Sequence, residues 1–172
     1  VLSGQRSVSL TTNGQVLQNE SFGTITVAYF DAYTILGGLR LRPGFHAARY
    51  VHVYNNGNTP IPNALVKLVK PSFASFGSSF SHAPAYISGD TVAWNLTNIS
   101  NSVVLTYQIY CPPGIAIGTP YTVSSFVVTS PIDYFLSNNT STCEELVVGA
   151  WDPNDKRVFT PSGADADGDI TA

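Results

Sequence analysis

Residues 146–156 read Leu-Val-Val-Gly-Ala-Trp-Asp-Pro-Asn-Asp-Lys, and this stretch decides how the chain is divided. Its first half is largely aliphatic, and its second half is the densest cluster of turn-forming residues in the sequence. Pro153 fixes its own φ angle and has no N–H to donate to a sheet, so a strand in the first half must end at about Asp152. We therefore predict that a domain ends here and that residues 152–172 form an acidic linker to a following domain.

Before this stretch, short runs of alternating apolar and polar residues recur between clusters of Gly, Pro, Asn and Ser. Alternation of this kind indicates half-buried strands, and no window keeps the apolar period of a helix. The predicted strands are residues 5–10, 24–30, 49–54, 64–69, 91–96, 103–111, 121–129 and 143–151. Residues 71–89 are predicted to be a long irregular connection or a weak edge strand. The pattern predicts an all-β fold, an antiparallel immunoglobulin-like β-sandwich of about seven to nine strands.

Within this fold, residues 40–151 are assigned to the sandwich core. Residues 1–39 are predicted to supply N-terminal strands that either belong to the sandwich or add to the sheet edge of a neighbouring molecule. The chain opens on Val1 without a signal peptide, so we expect a processed or excised start.

The composition excludes several classes of function. Charged residues make up only 11% of the 172 residues, against about 25% in an ordinary soluble domain. Abundant Ser, Thr and Asn must then provide solubility, which is typical of proteins outside the cell. The net charge is −3 and the eight Lys and Arg residues are scattered, so we expect no nucleic-acid partner. No apolar run approaches the ~20 residues that cross a bilayer, so we expect no membrane insertion.

The sequence contains two cysteines, Cys111 and Cys143. They fit one disulfide in an oxidising compartment. In the chain-entropy model, a bridge that closes a loop of ~33 residues contributes about 3–4 kcal/mol. The alternative is two separate buried thiols.

Three motifs together resemble those of one family. Leu41-Arg42-Pro43-Gly44-Phe45 followed by Tyr54-Asn55-Asn56-Gly57-Asn58 is similar to its R-P-G-F … Y-x-N-x-G opening. Residues 90–96, Asp-Thr-Val-Ala-Trp-Asn-Leu, resemble its G-x-T-V-x-W-x-L strand, and residues 147–163 resemble its closing signature. The family comprises the conserved repeat domains of large Bacteroidetes surface proteins, commonly exported by type IX secretion. The resemblance implies an immunoglobulin-like sandwich that serves as a stalk or repeat beside neighbouring domains of the same polypeptide.

Catalytic motifs are missing from the sequence. It has no serine nucleophile elbow, no His-Glu-x-x-His and no phosphate-binding glycine loop. Glu144 and Glu145 are adjacent, so on a strand they point to opposite faces, whereas a glycosidase needs both carboxylates on one sugar. We therefore predict no enzymatic activity and no required cofactor. The leading hypothesis is a non-catalytic module of an extracellular, cell-surface protein that acts as stalk, spacer or adhesive repeat.

Two alternatives use other parts of the chain. The first is a carbohydrate-binding module that stacks polysaccharide on Phe73, Phe76, Phe80 and Tyr86. Because three of these rings are Phe, we favour the interpretation that they fold down over the sandwich edge. The second is a filament of identical subunits assembled by strand addition, with the added strand drawn from residues 1–39.

The last 21 positions hold five of the eleven acidic residues. Oxygen ligands at this density suit Ca²⁺. The candidate ligands are Asp152, Asn154, Asp155, Asp165, Asp167 and Asp169. The arrangement is similar to the Asp-x-Asn-Asp-Asn linkers of cadherins, except that Lys156 stands in place of another oxygen ligand. The alternative is a solvated flexible linker.

Overall fold

The computed structural model describes residues 27–149, together with Asn13. Within residues 27–149, nine strands form two antiparallel sheets packed face to face, which confirms the predicted immunoglobulin-like β-sandwich. In chain order the strands are β1 (Ala32–Gly38), β2 (His46–Asn55), β3 (Ile61–Val69), β4 (Ser75–Phe80), β5 (Tyr86–Ser88), β6 (Thr91–Ile99), β7 (Ser102–Tyr110), β8 (Pro120–Ser130) and β9 (Thr140–Leu146). A 3-10 turn, Leu136–Asn138, precedes β9. None of the described residues belongs to a helix that could span a membrane.

The four-stranded sheet has the order β1-β2-β7-β4, and the five-stranded sheet has the order β5-β6-β3-β8-β9. The edge strand β1 also contacts β8 and β9 of the other sheet, so β1 and β9 lie on the same side of the sandwich.

The alternation seen in the sequence places one face of each strand in the core. The inward residues of the three best-patterned strands are Ala47, Val51 and Val53 of β2, Val92, Trp94 and Leu96 of β6, and Leu105, Tyr107 and Ile109 of β7. Trp94 is only 1% exposed, and its indole Nε1 donates to the His82 carbonyl at 3.1 Å. The largest buried side chain of the core therefore has its polar atom satisfied.

Several strands differ from the prediction. β1 was not predicted, because its two terminal glycines resemble a turn. Residues 71–89, predicted as a long irregular connection or a weak edge strand, contain two short edge strands, β4 and β5. β9 ends at Leu146 because the next N–H groups leave β8: Val147 donates to the Thr119 carbonyl and Val148 to the Leu41 carbonyl. Residues 27–30 of the predicted strand 24–30 are not in a strand, and residues 5–10 lie outside the described part of the chain.

The described chain begins and ends at opposite ends of the sandwich. Residues 27–31 lie beside the β2–β3 turn, where the Asn58 N–H donates to the Tyr29 carbonyl at 3.0 Å. Residues 147–149 lie at the far end, where the Val148 N–H reaches the Leu41 carbonyl at 3.0 Å. We call the first end, with loops 27–31, 55–60 and 130–140, the N-terminal pole. The second, with loops 38–46, 110–120 and 146–149, is the C-terminal pole.

Candidate functional site

An asparagine-rich turn anchors the first described residues at the N-terminal pole. Asn58 Oδ1 accepts the Tyr29 N–H at 2.9 Å, and its Nδ2 donates to the Val27 carbonyl at 2.9 Å. Gly57 permits this approach, since a Cβ there would lie 2.3 Å from the Phe30 Cα. The Tyr-Asn-Asn-Gly-Asn motif therefore acts as a backbone clamp.

Two buried carboxylates lie behind this clamp. Asp31 accepts from Asn138 Nδ2 at 2.8 Å, and Asp133 accepts from the Ala32 N–H at 2.7 Å and from Asn139 Nδ2 at 3.2 Å. Among residues 27–149, neither carboxylate forms an ion pair with Lys or Arg. Amide N–H groups supply the hydrogen bonds that the two carboxylates accept, and among the described residues the negative charge of the carboxylates remains unpaired at this pole.

Above these carboxylates, the N-terminal pole exposes apolar side chains. The exposed large residues are Val27, Ile132, Tyr134, Phe135 and Leu136. Tyr29 packs against Tyr134 with ring centroids 5.2 Å apart. Together with Val27, Asn58 and Phe135, these two rings line a hollow of about 460 Å³.

The C-terminal pole is built on the Arg42-Pro43-Gly44-Phe45 turn. The Phe45 N–H donates to the Arg42 carbonyl at 3.1 Å, and Gly44 has a φ of +80°, which favours glycine. The Arg42 guanidinium lies 4.8 Å from the centre of the Phe45 ring. Both residues line a hollow of about 260 Å³ together with Leu39 and Arg40. This pole exposes the apolar residues Leu39, Phe45, Ile117 and Leu146.

A buried ion pair joins the two sheets. Arg49 projects inward from β2, and its Nη1 donates to Glu145 Oε2 of β9 at 2.8 Å and to the Leu39 carbonyl at 2.7 Å. The Arg49 side chain is completely buried, and that of Glu145 is 16% exposed. The Tyr121 hydroxyl of β8 donates to the same carboxylate and accepts the Leu41 N–H at 3.0 Å.

This environment changes the titration of the cluster. Burial alone would raise the pKa of Glu145, but hydrogen bonds from Tyr121 and Arg49 hold it below its ordinary value of 4.5. Burial and the hydrogen bond to Glu145 raise the pKa of Tyr121 to about 12. Efficient general acids and bases have a pKa near the working pH. At neutral pH, Glu145 is ionised and Tyr121 is protonated, so the pair suits a structural role better than proton transfer.

The cluster lies beside an open groove of about 610 Å³ on the sandwich edge. Its lining residues are Pro71, Ser72, Phe73, Pro120, Tyr121, Thr122, Glu144, Glu145 and Leu146. Glu145 is already neutralised by Arg49, which leaves Glu144 as the one carboxylate of the lining without an ion pair among the described residues.

The predicted disulfide between Cys111 and Cys143 is wrong, because both cysteines are free. Cys111 follows β7 of the four-stranded sheet, and Cys143 lies in β9 of the other sheet. Cys111 Sγ lies 3.8 Å from the Pro112 carbonyl oxygen. Cys143 Sγ instead lies 3.7 Å from Arg49 Nη2. Burial raises the pKa of both thiols.

The four aromatic residues considered for carbohydrate binding lie in two environments. Phe73, Phe76 and Phe80 are partly buried and pack against the core, in the way that the favoured interpretation expected. Tyr86 is exposed on the short edge strand β5.

The six calcium ligands proposed from the sequence, Asp152, Asn154, Asp155, Asp165, Asp167 and Asp169, lie outside the described residues, so the calcium site stays a prediction. Within the described part of the chain, no group of three or more His, Cys, Asp or Glu side chains could hold a metal ion.

Sequence reasoning missed the Arg49–Glu145 pair, although the signal was present. Arg49 shares the inward phase of β2 with Ala47 and Val51. A cation on a core-facing position requires a buried anion nearby. The sequence could not show which carboxylate supplies it, because that depends on how the two sheets are stacked.

No protein-family model and no curated protein matches the sequence. Solved β-sandwich domains do resemble the structure. The CARDB domain of the PF1109 protein from Pyrococcus furiosus, solved in complex with di-metal ions, has a TM-score of 0.52 at 18% identity, covering 73% of this chain and 100% of that domain. The seventh ScaB type I cohesin of Pseudobacteroides cellulosolvens also has a TM-score of 0.52, at 10% identity, with coverage of 76% and 99%. CaCohA2 of Clostridium acetobutylicum has a TM-score of 0.51 at 10% identity, with coverage of 70% and 92%. At these identities, the similarity establishes the fold alone.

Proposed function

We propose that the chain is a non-catalytic β-sandwich module of an extracellular surface protein, where it acts as spacer, stalk or adhesive repeat. One observation carries the proposal: residues 27–31 and residues 147–149 lie at opposite poles. When modules are joined through opposite poles, each module extends the polypeptide by the length of its long axis. For this sandwich that axis is roughly the length of the ten-residue strand β2, about 33 Å.

The strand arrangement also suits a module that is pulled through its ends. Tension along the long axis slides β1 past β2, which are paired from Ala32↔Asn55 to Gly38↔Arg49. Antiparallel hydrogen bonds run perpendicular to their strands, so under this tension the bonds between β1 and β2 resist together rather than one after another. The Asn58 clamp adds resistance at the N-terminal pole, and the Arg49–Glu145 pair holds β9 to the opposite sheet.

Two further features support a non-catalytic surface module. The cluster of Arg49, Tyr121 and Glu145 is neutralised internally, and the pKa of Glu145 is lowered while that of Tyr121 is raised, so neither is poised near neutral pH. The low charge content, 11% against about 25% in an ordinary soluble domain, agrees with a place outside the cell. Under this proposal the partners are neighbouring domains of the same polypeptide or identical subunits, as the resemblance to the Bacteroidetes surface repeats implies.

Single-molecule pulling tests the proposal. Force applied through the two chain ends should unfold the sandwich in one step, at a higher force than when the handles are attached to position 58 and the N-terminus. The second geometry peels hydrogen bonds apart one at a time. Asn58→Ala is the matched variant, and it should lower the force of the first event by removing both side-chain bonds to residues 27–29. Equal forces in the two geometries would contradict a spacer that bears tension.

Calorimetric titration with a panel of polysaccharides separates the adhesive repeat from the spacer. A pure spacer should release no heat. Saturable binding that Tyr86→Ala removes, at an unchanged melting temperature, would instead assign adhesion to the β5 edge.

A further inference from the structure

Nine of the sixteen exposed large apolar side chains among the described residues lie at the two ends of the sandwich. The N-terminal pole exposes Val27, Ile132, Tyr134, Phe135 and Leu136, and the C-terminal pole exposes Leu39, Phe45, Ile117 and Leu146. The two most exposed are Ile132 at 81% and Val27 at 72%, followed by Ile117 at 70%, so both poles are represented. Apolar patches of this kind mark interaction surfaces.

The unpaired charges are also divided between the poles. Among residues 27–149, two ion pairs form, Arg49–Glu145 and Lys70–Asp90. Of the charged side chains outside these pairs, Asp31 and Asp133 lie at the N-terminal pole, and Arg40 and Arg42 lie at the C-terminal pole. Only Lys67 and Glu144 lie elsewhere, on β3 and β9. One pole is therefore acidic beneath its apolar surface, and the other is basic around its apolar surface.

The outer face of the four-stranded sheet is a weaker candidate for docking. Several of its aromatic rings stack on one another: the ring centroids of Tyr33 and Tyr54 are 4.7 Å apart, and those of Tyr54 and His52 are 3.7 Å apart. These stacked rings thereby stabilise the edge strand β1 against β2.

From these features we infer that the C-terminal pole of one copy docks on the N-terminal pole of a second copy of this chain. The inference rests on the proposed spacer function and identifies the neighbouring module as a copy of the same sandwich. Contact between the poles removes both apolar surfaces from water and brings Arg40 and Arg42 towards the Asp31 and Asp133 carboxylates. Because the two surfaces differ, the contact is heterologous and each copy keeps one free pole, so copies add in a row.

Three isoleucines provide a matched test. Ile132→Asn alters the N-terminal pole and Ile117→Asn the C-terminal pole, while Ile35→Asn alters the sheet face, where Ile35 is 43% exposed. We expect sedimentation velocity of the full chain to show concentration-dependent association at concentrations up to about 1 mM, the effective concentration of modules joined by a short flexible linker. Each pole variant should sediment as a monomer, and Ile35→Asn should associate like the unaltered chain. Melting temperatures identify any variant that is unfolded.

Mixing the two pole variants is the most specific test. Each retains one intact pole, so an equimolar mixture should form a dimer and nothing larger, although neither variant associates alone. Arg40→Glu should weaken association, and added salt should weaken it further in the unaltered chain. A mixture that stays monomeric, or association that only Ile35→Asn disrupts, overturns pole-to-pole docking. Polymers that persist in both pole variants overturn it too, in favour of strand addition.

The outcomes for docking and for the spacer are separable. A chain that is monomeric at every concentration overturns the docking and leaves the spacer proposal intact, because the spacer proposal does not require free copies to bind one another. Low resistance to pulling overturns the spacer whether or not copies associate.

Discussion

Removing either partner of the buried pair between Arg49 and Glu145 should destabilise the sandwich, but by unequal amounts. Glu145→Leu leaves a completely buried guanidinium without a counter-ion, whose remaining partners among the described residues are the uncharged Leu39 carbonyl, Tyr121 hydroxyl and Cys143 Sγ. Leaving a buried charge without its counter-ion costs about 3–5 kcal/mol. Arg49→Met leaves Glu145 with the Tyr121 hydroxyl and some exposure to the groove. The expected loss in the free energy of unfolding is then that of one hydrogen bond to a charged group, about 1.5–3 kcal/mol.

The double variant Arg49→Met, Glu145→Leu distinguishes interaction from burial. Exchanging a whole buried pair for apolar side chains is often neutral or stabilising, so the double variant should be close to the unaltered chain in stability. Urea unfolding followed by circular dichroism measures all four proteins, with equal m-values as the control for an unchanged unfolding transition. The reasoning fails if Arg49→Met is the more costly change, or if the two single losses simply add in the double variant.

Other expected outcomes concern titration, thiols and the core. The pKa of Glu145 is lowered in the folded state, so its contribution to stability is present above the ordinary value of 4.5 and is lost as the pH falls below it. On acidification, the urea midpoint of Glu145→Leu should therefore fall less steeply than that of the unaltered chain. The pKa of Tyr121 is raised from 10.0 to about 12, so its contribution to stability is complete below pH 10 and is lost between pH 10 and about 12. Tyr121→Phe should remove one late step from a titration that follows tyrosinate absorbance. A thiol assay in denaturant without reductant should find both Cys111 and Cys143 free, and a count of zero would restore the disulfide. Trp94→Ala should cost about 3–5 kcal/mol in urea unfolding, and an unchanged midpoint would contradict its burial in the core.

The sandwich was predictable because its information is local. Alternation along β2, β6 and β7 identifies a strand and its buried face within a few residues. Prediction failed where the information is not local. β1 was missed because its apolar run ends in Gly37 and Gly38, which suggest a turn when they are considered alone. The Tyr50 ring lies where a Cβ on Gly37 would project, so the first glycine serves strand packing.

The proposed sites were harder to predict than the strands for the same reason. A disulfide depends on how closely the fold brings the two cysteines together, and two cysteines on good strands cannot reveal that. The poles collect side chains from loops that are far apart in the sequence, such as Val27 and Ile132, or Leu39 and Ile117. Each of these residues is an unremarkable loop residue alone. Only the antiparallel order of the strands brings them to the same end of the molecule.

The motifs that carried the family resemblance have a common physical role in this structure. Arg42-Pro43-Gly44-Phe45 and Tyr54-Asn55-Asn56-Gly57-Asn58 flank the same strand, β2, and each forms the turn at one pole. Their backbone hydrogen bonds and glycines set the ends of the sandwich, whereas their side chains set what each end presents. Arg42 illustrates the difference, because the turn uses only its carbonyl while its guanidinium faces Phe45 at the pole. A substitution such as Arg42→Gln can therefore keep the turn and change the charge of the pole. Modules with the same fold and turn motifs could differ in which neighbour they accept, with no change to the core.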